Sequence, residues 1–497
     1  MTDTVNILMA TAVEQLRCGQ PAEAVRTARK VARLIEDPVL RAINVGGFLI
    51  DAGADLKKVR LVKEAVDELE RVSAEVPEPV RSAYHFNLGN GYSTLGHRQK
   101  GHGPGTKPAL VKAISHLDAA LKYNPGPDVR ANLSGVLLAQ GRWIEAFDES
   151  DAILQEYPTH HKALANRAAS LQGIYNWVEG HTAILAAALS DLEHAIELSG
   201  NEPVFQSSYK NTLTGLRKHV SPLQISPQSS LRRDVRWIWD SRLALNPCPL
   251  CRQESPEAFD LFPLAGRLEG GLRKPEIDVV LDLFNGLSRN FATARWILYK
   301  AVVNSSLESD HVITIEGNPS ARHELSVGLL MSAASGFYAL LGQIAFALNS
   351  YYRLGHDARN VTFENVWGQP GSRSLPRERI SIHPALRRRS VPALAALYWL
   401  AQSFAHGLGR YVELRKLRNS LEHHVVCVFD APVESSYYIA LTRRQLEEST
   451  IRLGQIARAA IWYFGGAVLN GEQERARRQI RRGRKIIKRS RGKVRRM

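Results

Sequence analysis

The chain has 497 residues, 44% of them apolar and 23% charged, which is too long for one ordinary core and excludes intrinsic disorder. Its formal net charge of +16 is not a global property: residues 475–497 hold 13 Lys/Arg and no acid, leaving 52 basic against 49 acidic residues before them. The four cysteines, Cys18, Cys248, Cys251 and Cys427, are too few and too scattered for a disulfide framework and fit a reducing compartment. The start Met1-Thr2-Asp3-Thr4 lacks the basic region of a signal peptide, so a cytoplasmic location is expected.

Residues 1–75 read as helical hairpins. Ala22–Val25 with Ala28, Val31 and Leu34 predict one amphipathic helix, and Leu40–Ala52 and Val59–Val72 predict a further pair. From Val80 a period becomes explicit. Leu88-Gly89-Asn90-Gly91-Tyr92 opens a unit that closes with Ala113, Leu117, Ala120 and Pro125, with residues 96–108 inserted between its helices. The next unit runs from Asn132 to Pro158, and Ala146 follows Ala113 by 33 residues. A third ends in Ala188, Leu192, Ala195 and Ile196, its spacing stretched to 42, and Pro203–His219 caps the array. The small, large, small, proline pattern resembles tetratricopeptide repeats. That resemblance implies a stacked solenoid whose concave face takes a protein or peptide. These positions are structural and leave the ligand open, with nucleic acid or the C-terminal region of the chain as other occupants.

Six prolines punctuate residues 221–274 around a short aromatic and basic patch, Arg232–Trp239, which predicts a bridge packed against both neighbours. Cys248-Pro249-Leu250-Cys251 lacks the second ligand pair of a zinc site, and it lacks the strand–helix setting of a redox C-x-x-C. It reads as two ordinary loop cysteines, and no metal site is expected.

Beyond the bridge, Pro275–Val303 reads as two helices and Asp310–Ile315 as a short extended piece. Two uncharged runs, Leu325–Tyr352 and Ser390–Gly409, are long enough to span a membrane. Their interior polar residues, among them Ser335, Gln343, Asn349 and Gln402, favour buried core helices instead. Between them Tyr352–Ser390 is a polar crossover holding Trp367, of the kind that shapes the mouth of a bundle. A helix is predicted from Arg410 to Val428, with Leu414, Leu417, Leu421 and Val425 as its buried stripe. Val425–Val433 and Tyr437–Thr442 also have extended character, Arg443–Leu469 reads as the final helix, and the basic tail follows.

On the motif helix Arg415, Asn419 and His423 form a polar row, and Arg418 sits on the shoulder of the apolar stripe. Taken alone, Arg418 and Glu422 are an ordinary i,i+4 pair on a solvated face. Arg418-Asn419-x-x-x-His423, however, resembles the R-N-x-x-x-H motif of HEPN domains. The setting agrees: Ala334–Leu341, Ile344–Phe346, Leu348–Tyr352, Phe363, Trp367 and Ala396–Leu400 precede the motif in the order found in HEPN proteins fused to tetratricopeptide repeats. The expected fold is therefore all-α. It comprises a repeat solenoid over residues 1–220, a bridge over 221–275, a HEPN bundle over 276–470 and a basic tail over 471–497.

The resemblance implies an endoribonuclease without metal or cofactor, yielding 2′,3′-cyclic phosphate and 5′-hydroxyl ends, in stress or antiviral defence. Histidine suits proton transfer near neutrality, and the planar guanidinium suits phosphate oxygens. Catalytic roles are thus expected for His423 and Arg418, an orienting one for Asn419, and auxiliary ones for His424 and Arg415. Arg418 and His423, five residues apart, point roughly 140° from each other on a regular helix. The resemblance resolves this by pairing two bundles into a homodimer around one cleft. Arg481, Arg482, Arg484, Lys485, Lys488 and Arg489 of the tail would capture RNA. Without aromatic residues the tail cannot read sequence, and it suits ribosome docking or localisation equally. The competing function is an adaptor whose HEPN domain binds RNA or nucleotide without cutting it.

Overall fold

The computed structural model describes residues 3–177, 182–200, 203–218, 232–247, 250, 275–303, 321–322, 324–372, 381–405, 411–423, 426–434 and 439–494. At 203–204, 275–278, 321–322, 422–423 and 476–494 it describes the backbone alone. The architecture is all-α as expected. The N-terminal half runs α1 (Asp3–Arg17), α2 (Pro21–Leu34), α3 (Pro38–Arg41), α4 (Gly47–Asp55), α5 (Val59–Arg71), α6 (Arg81–Arg98), α7 (Ala109–Tyr123), α8 (Pro127–Ala139), α9 (Trp143–Glu156), α10 (His161–Tyr175), α11 (Thr182–Leu198) and α12 (Pro203–Arg217). From α4 onward each helix packs on the next, so the chain advances by hairpins. The small residues of the periodic pattern are where neighbours close up: Ala113, Ala120, Ala146, Ala188 and Ala195 are fully buried.

After α13 (Arg233–Asp240) come α14 (Pro275–Val303), β1 (Ala321–Arg322), α15 (Leu325–Tyr352), α16 (Pro384–Arg387), α17 (Pro392–Ala405), α18 (Tyr411–His423), β2 (Val426–Phe429), β3 (Ile439–Thr442) and α19 (Arg443–Val494). The strands form one small sheet in which β2 pairs antiparallel with β1, Ala321 opposite Phe429, and parallel with β3, Val428 opposite Leu441. Helix α15 is long and apolar enough to cross a membrane by length and composition. Here its stripe of Leu330, Ala334, Phe337, Leu341 and Leu348 is buried against α14 and α19. Helix α19 is apolar on every side from Ala459 to Phe464 and passes through the middle of the core.

Three expectations need correction. Pro275–Val303 is one helix, because Phe284, Leu287, Phe291, Ala294 and Leu298 keep a single buried stripe across the Asn285-Gly286 break signal. The motif helix ends at His423 and not at Val428, since the β-branched run beyond it pairs as β2. The last helix continues to Val494 instead of stopping near Leu469, so the basic segment extends α19. The extended piece expected at Asp310–Ile315 lies outside the described residues.

The N-terminal helical hairpins and the C-terminal bundle share one continuous apolar cluster, which runs from Ala131 to Leu469. Trp177 packs 4.6 Å from Trp143 and 5.9 Å from Tyr463, ring centre to ring centre. Gly466 admits this contact, for a Cβ there would lie 2.9 Å from Ala393 Cβ and 3.0 Å from Trp177. The described part of the bridge lies between the two halves. Leu243 and Leu245 are fully buried, Arg295 Nη1 donates to the Leu243 carbonyl at 3.1 Å, and Arg242 pairs with Asp151 at 3.0 Å.

Polar groups complete the junction. The turn from α8 to α9 needs a positive φ at Gly141 (+76°), where a Cβ would also press on the Pro392 carbonyl at 3.1 Å. That turn delivers Arg142, whose side chain is wholly buried. Its Nε donates to Glu145 at 2.8 Å and its Nη1 to Ser403 Oγ at 2.9 Å, while its Nη2 reaches both Glu145 and the Tyr411 hydroxyl. Glu145 also accepts from Tyr411 at 2.6 Å and Tyr463 at 3.1 Å. Burial alone would raise the Glu145 carboxyl, but the Arg142 charge and these hydrogen bonds hold it below its usual value. Removing one member of such a pair strands the other, so Glu145→Ala should cost roughly 3–5 kcal/mol in urea unfolding. A loss below about 1 kcal/mol, the range of a surface pair, would contradict this.

Helices α6 and α7 bring His85 and His116 together, Nδ1 to Nδ1 at 3.1 Å. Burial, then the charge of His85, push His116 from 6.5 down to about 4. The unfolded chain therefore takes up a proton near pH 6.5 that the folded chain refuses until near pH 4, so stability falls as pH falls through that window. The melting temperature should drop between pH 7.5 and pH 5, and His116→Gln should flatten that drop. Equal slopes in both proteins would sink the assignment.

Candidate active site

Helix α18 lies against α15, α17 and α19. Leu414 and Leu417 are each 3% exposed, and Ser420 is buried with its hydroxyl donated to the Lys416 carbonyl at 2.7 Å. Tyr411 at its start is the residue gripped by Arg142 and Glu145.

On the shoulder of that stripe Arg418 is half-buried. Its Nη1 donates to Asn419 Oδ1 at 2.9 Å, and its guanidinium lies 4.7 Å over the ring of Tyr338 on α15. Tyr338 sits 5.9 Å from Phe404, Phe404 sits edge-on 6.0 Å from Tyr411, and the Arg142 guanidinium lies 5.6 Å from the Tyr411 ring. A stack of rings thus runs from the repeat array to Arg418. Asn419, expected to orient the phosphate, is engaged by the guanidinium beside it. Arg415, expected as an auxiliary, is exposed and donates to the Ala405 carbonyl at the last turn of α17, which ties the two helices together. The backbone places position 423 at the end of α18. The His423 side chain and the whole of His424 lie outside the described residues. The side chains of Arg481, Arg482, Arg484, Lys485, Lys488 and Arg489 do so too, their backbone continuing α19. Among the described residues no group of three His, Cys, Asp or Glu is placed to hold a metal; Cys248 and Cys251 are outside them.

Beside Arg418 opens a cleft of about 270 Å³, walled by α15, by the crossover after it and by α18. The crossover is held in place. Arg353 takes a left-handed conformation at the end of α15, where Leu354 N donates back to the Asn349 carbonyl at 3.0 Å. Fully buried Trp367 then pins the segment, 5.3 Å from Tyr398 and with its Nε1 on the Phe363 carbonyl at 3.0 Å. A larger cleft of about 880 Å³ separates α7, α8 and α9 from α18 and α19, with Arg142, Glu145 and Tyr411 among its walls.

The bundle that carries the smaller cleft is a HEPN-family domain, of a superfamily that commonly has RNase activity. The particular family whose model matches is LA2681-like HEPN, over residues 273–470, against an expected span of 276–470. No curated protein matches the chain. Sequence reasoning singled out Arg418 and Asn419 but not Tyr338 beneath the guanidinium or the rings beyond it, Phe404 and Tyr411. Their one signal is an aromatic residue in each of three otherwise ordinary helices. Tyr338→Leu should remove the platform under the guanidinium and cost about 0.5–2 kcal/mol in unfolding. An unchanged urea midpoint would contradict that.

Proposed function

We propose that the chain is a metal-independent endoribonuclease whose HEPN domain works as a homodimer and whose N-terminal, tetratricopeptide-like repeats take a protein or peptide that governs it. The observation that carries this is the holding of Arg418, inside an R-N-x-x-x-H motif of a HEPN domain. A guanidinium fixed by Asn419 and by an aromatic ring beside a cleft is prepared to stabilise a phosphorane-like transition state. His423 would move the proton to or from the reacting oxygens, with His424 as auxiliary. Helix α18 is continuous through position 423, so positions 418 and 423 stay roughly 140° apart around it. Convergence on one phosphate then calls for the motif of a second copy. The basic end of α19 supplies sequence-independent attraction for RNA. A stress or defence role, with restraint until the larger cleft is engaged, fits this arrangement.

The test is cleavage of a mixed RNA pool in EDTA by wild type, Arg418→Ala and His423→Ala, with thermal melts as folding controls. Wild type should leave 2′,3′-cyclic phosphates, and each variant should lose on the order of 10²–10³-fold or more. Equal residual cutting by all three would reject the nuclease. RNA bound equally by all three without cutting would instead favour an adaptor.

A further inference from the structure

We propose that the cleft beside Arg418 is a nucleobase subsite, which takes the base adjoining the phosphate that Arg418 addresses. This rests on Arg418 being a phosphate contact. Three elements build the cleft. Helix α15 supplies Tyr338, Ala339 and Gly342, the crossover supplies Thr362 and Phe363, and α18 supplies Arg418 itself. Among the described residues Arg418 is the one charged group in its walls. Those walls offer a second phosphate no further cation, whereas they offer a flat apolar ring an apolar surface. Phe363 is buried at 5% exposure and forms part of the apolar wall, while the guanidinium resting on Tyr338 is a plane of the kind on which bases stack. The Thr362 hydroxyl is exposed at the rim and accepts from Asn365 N at 3.2 Å, so it keeps a proton to donate to a base edge. The volume of about 270 Å³ falls just under the roughly 300–1,000 Å³ of sites that enclose drug-sized ligands. It suits one ring system with its phosphate outside.

Gly342 gives the test its control. A Cβ added at Gly342 meets nothing within 4 Å, and the same holds at Gly328. Gly328 lies 14 positions earlier on nearly the same face of α15, about 21 Å away, and outside the cleft. A leucine at 342 starts from a Cβ in open space on the cleft wall, whereas a leucine at 328 starts outside the cleft.

The experiment is calorimetric titration of the full chain in EDTA with the four nucleoside 3′-monophosphates, inorganic phosphate and hexanoate. At least one nucleotide should bind ten-fold or more tighter than phosphate. Gly342→Leu and Ala339→Leu should each erase that margin, Gly328→Leu should keep it, and equal melting curves will certify the folds. Nucleotides no tighter than phosphate, a margin that survives both cleft-filling variants, or hexanoate binding in their place would each overturn the subsite. Binding needs no turnover, so the two claims fail separately. Metal-free RNA cutting without nucleotide preference removes the subsite alone, and nucleotide binding without cutting removes the nuclease alone.

Discussion

Arg142 is the group on which the arrangement depends. It is charged, wholly buried, and placed by a turn with a positive φ at Gly141, and its partners come from three helices. Glu145 belongs to its own hairpin, Ser403 to α17 and Tyr411 to the motif helix, and Glu145 in turn holds Tyr463 of the central helix. An ion pair of this kind adds little net stability over an apolar equivalent, but it tolerates no loss of a partner. Its yield is register: the last repeats, the motif helix and the core helix are fixed against one another at one point. A second set of ion pairs extends the same seam, Arg458 with Asp148 at 3.3 Å and Arg242 and Arg167 with Asp151 at 3.0 and 2.9 Å.

The motif helix therefore begins at a contact owned by the α8–α9 hairpin. Two turns later Arg418 rests on Tyr338, and the rings between the two sites are in contact throughout. The larger cleft opens at the Arg142 end of this stack and the smaller one at the Arg418 end. Tyr411 lines the first, so under the proposed regulation a ligand there would act on the second through the start of α18.

Local patterns were legible in the sequence, and distant pairings were not. The apolar stripe Leu414–Leu417 and the placing of Arg418 beside it follow from helical spacing, and the buried alanines of the repeats follow from their period. Arg142 could not be picked out, because Ser403, Tyr411 and Tyr463 are 261, 269 and 318 residues away from its hairpin. Helix ends were misread for a physical reason. Val425–Val428 continue an apolar rhythm that a helix and a strand share, and sheet pairing decided it. Gly286 and Gly471 look like stops, yet a buried stripe carries one helix through the first, and Gly471 packs with its Cα against the Tyr351 hydroxyl within the second.

The most direct test of the central claim, that two copies complete one site, is complementation between Arg418→Ala and His423→Ala. Each variant alone should be inert on RNA in EDTA. Mixed under conditions that exchange subunits, they should regain cutting, because the hybrid pairs one intact arginine with one intact histidine across the two-fold axis. No recovery from a mixture shown to contain the hybrid would contradict the shared cleft and place the chemistry, if any, within a single chain.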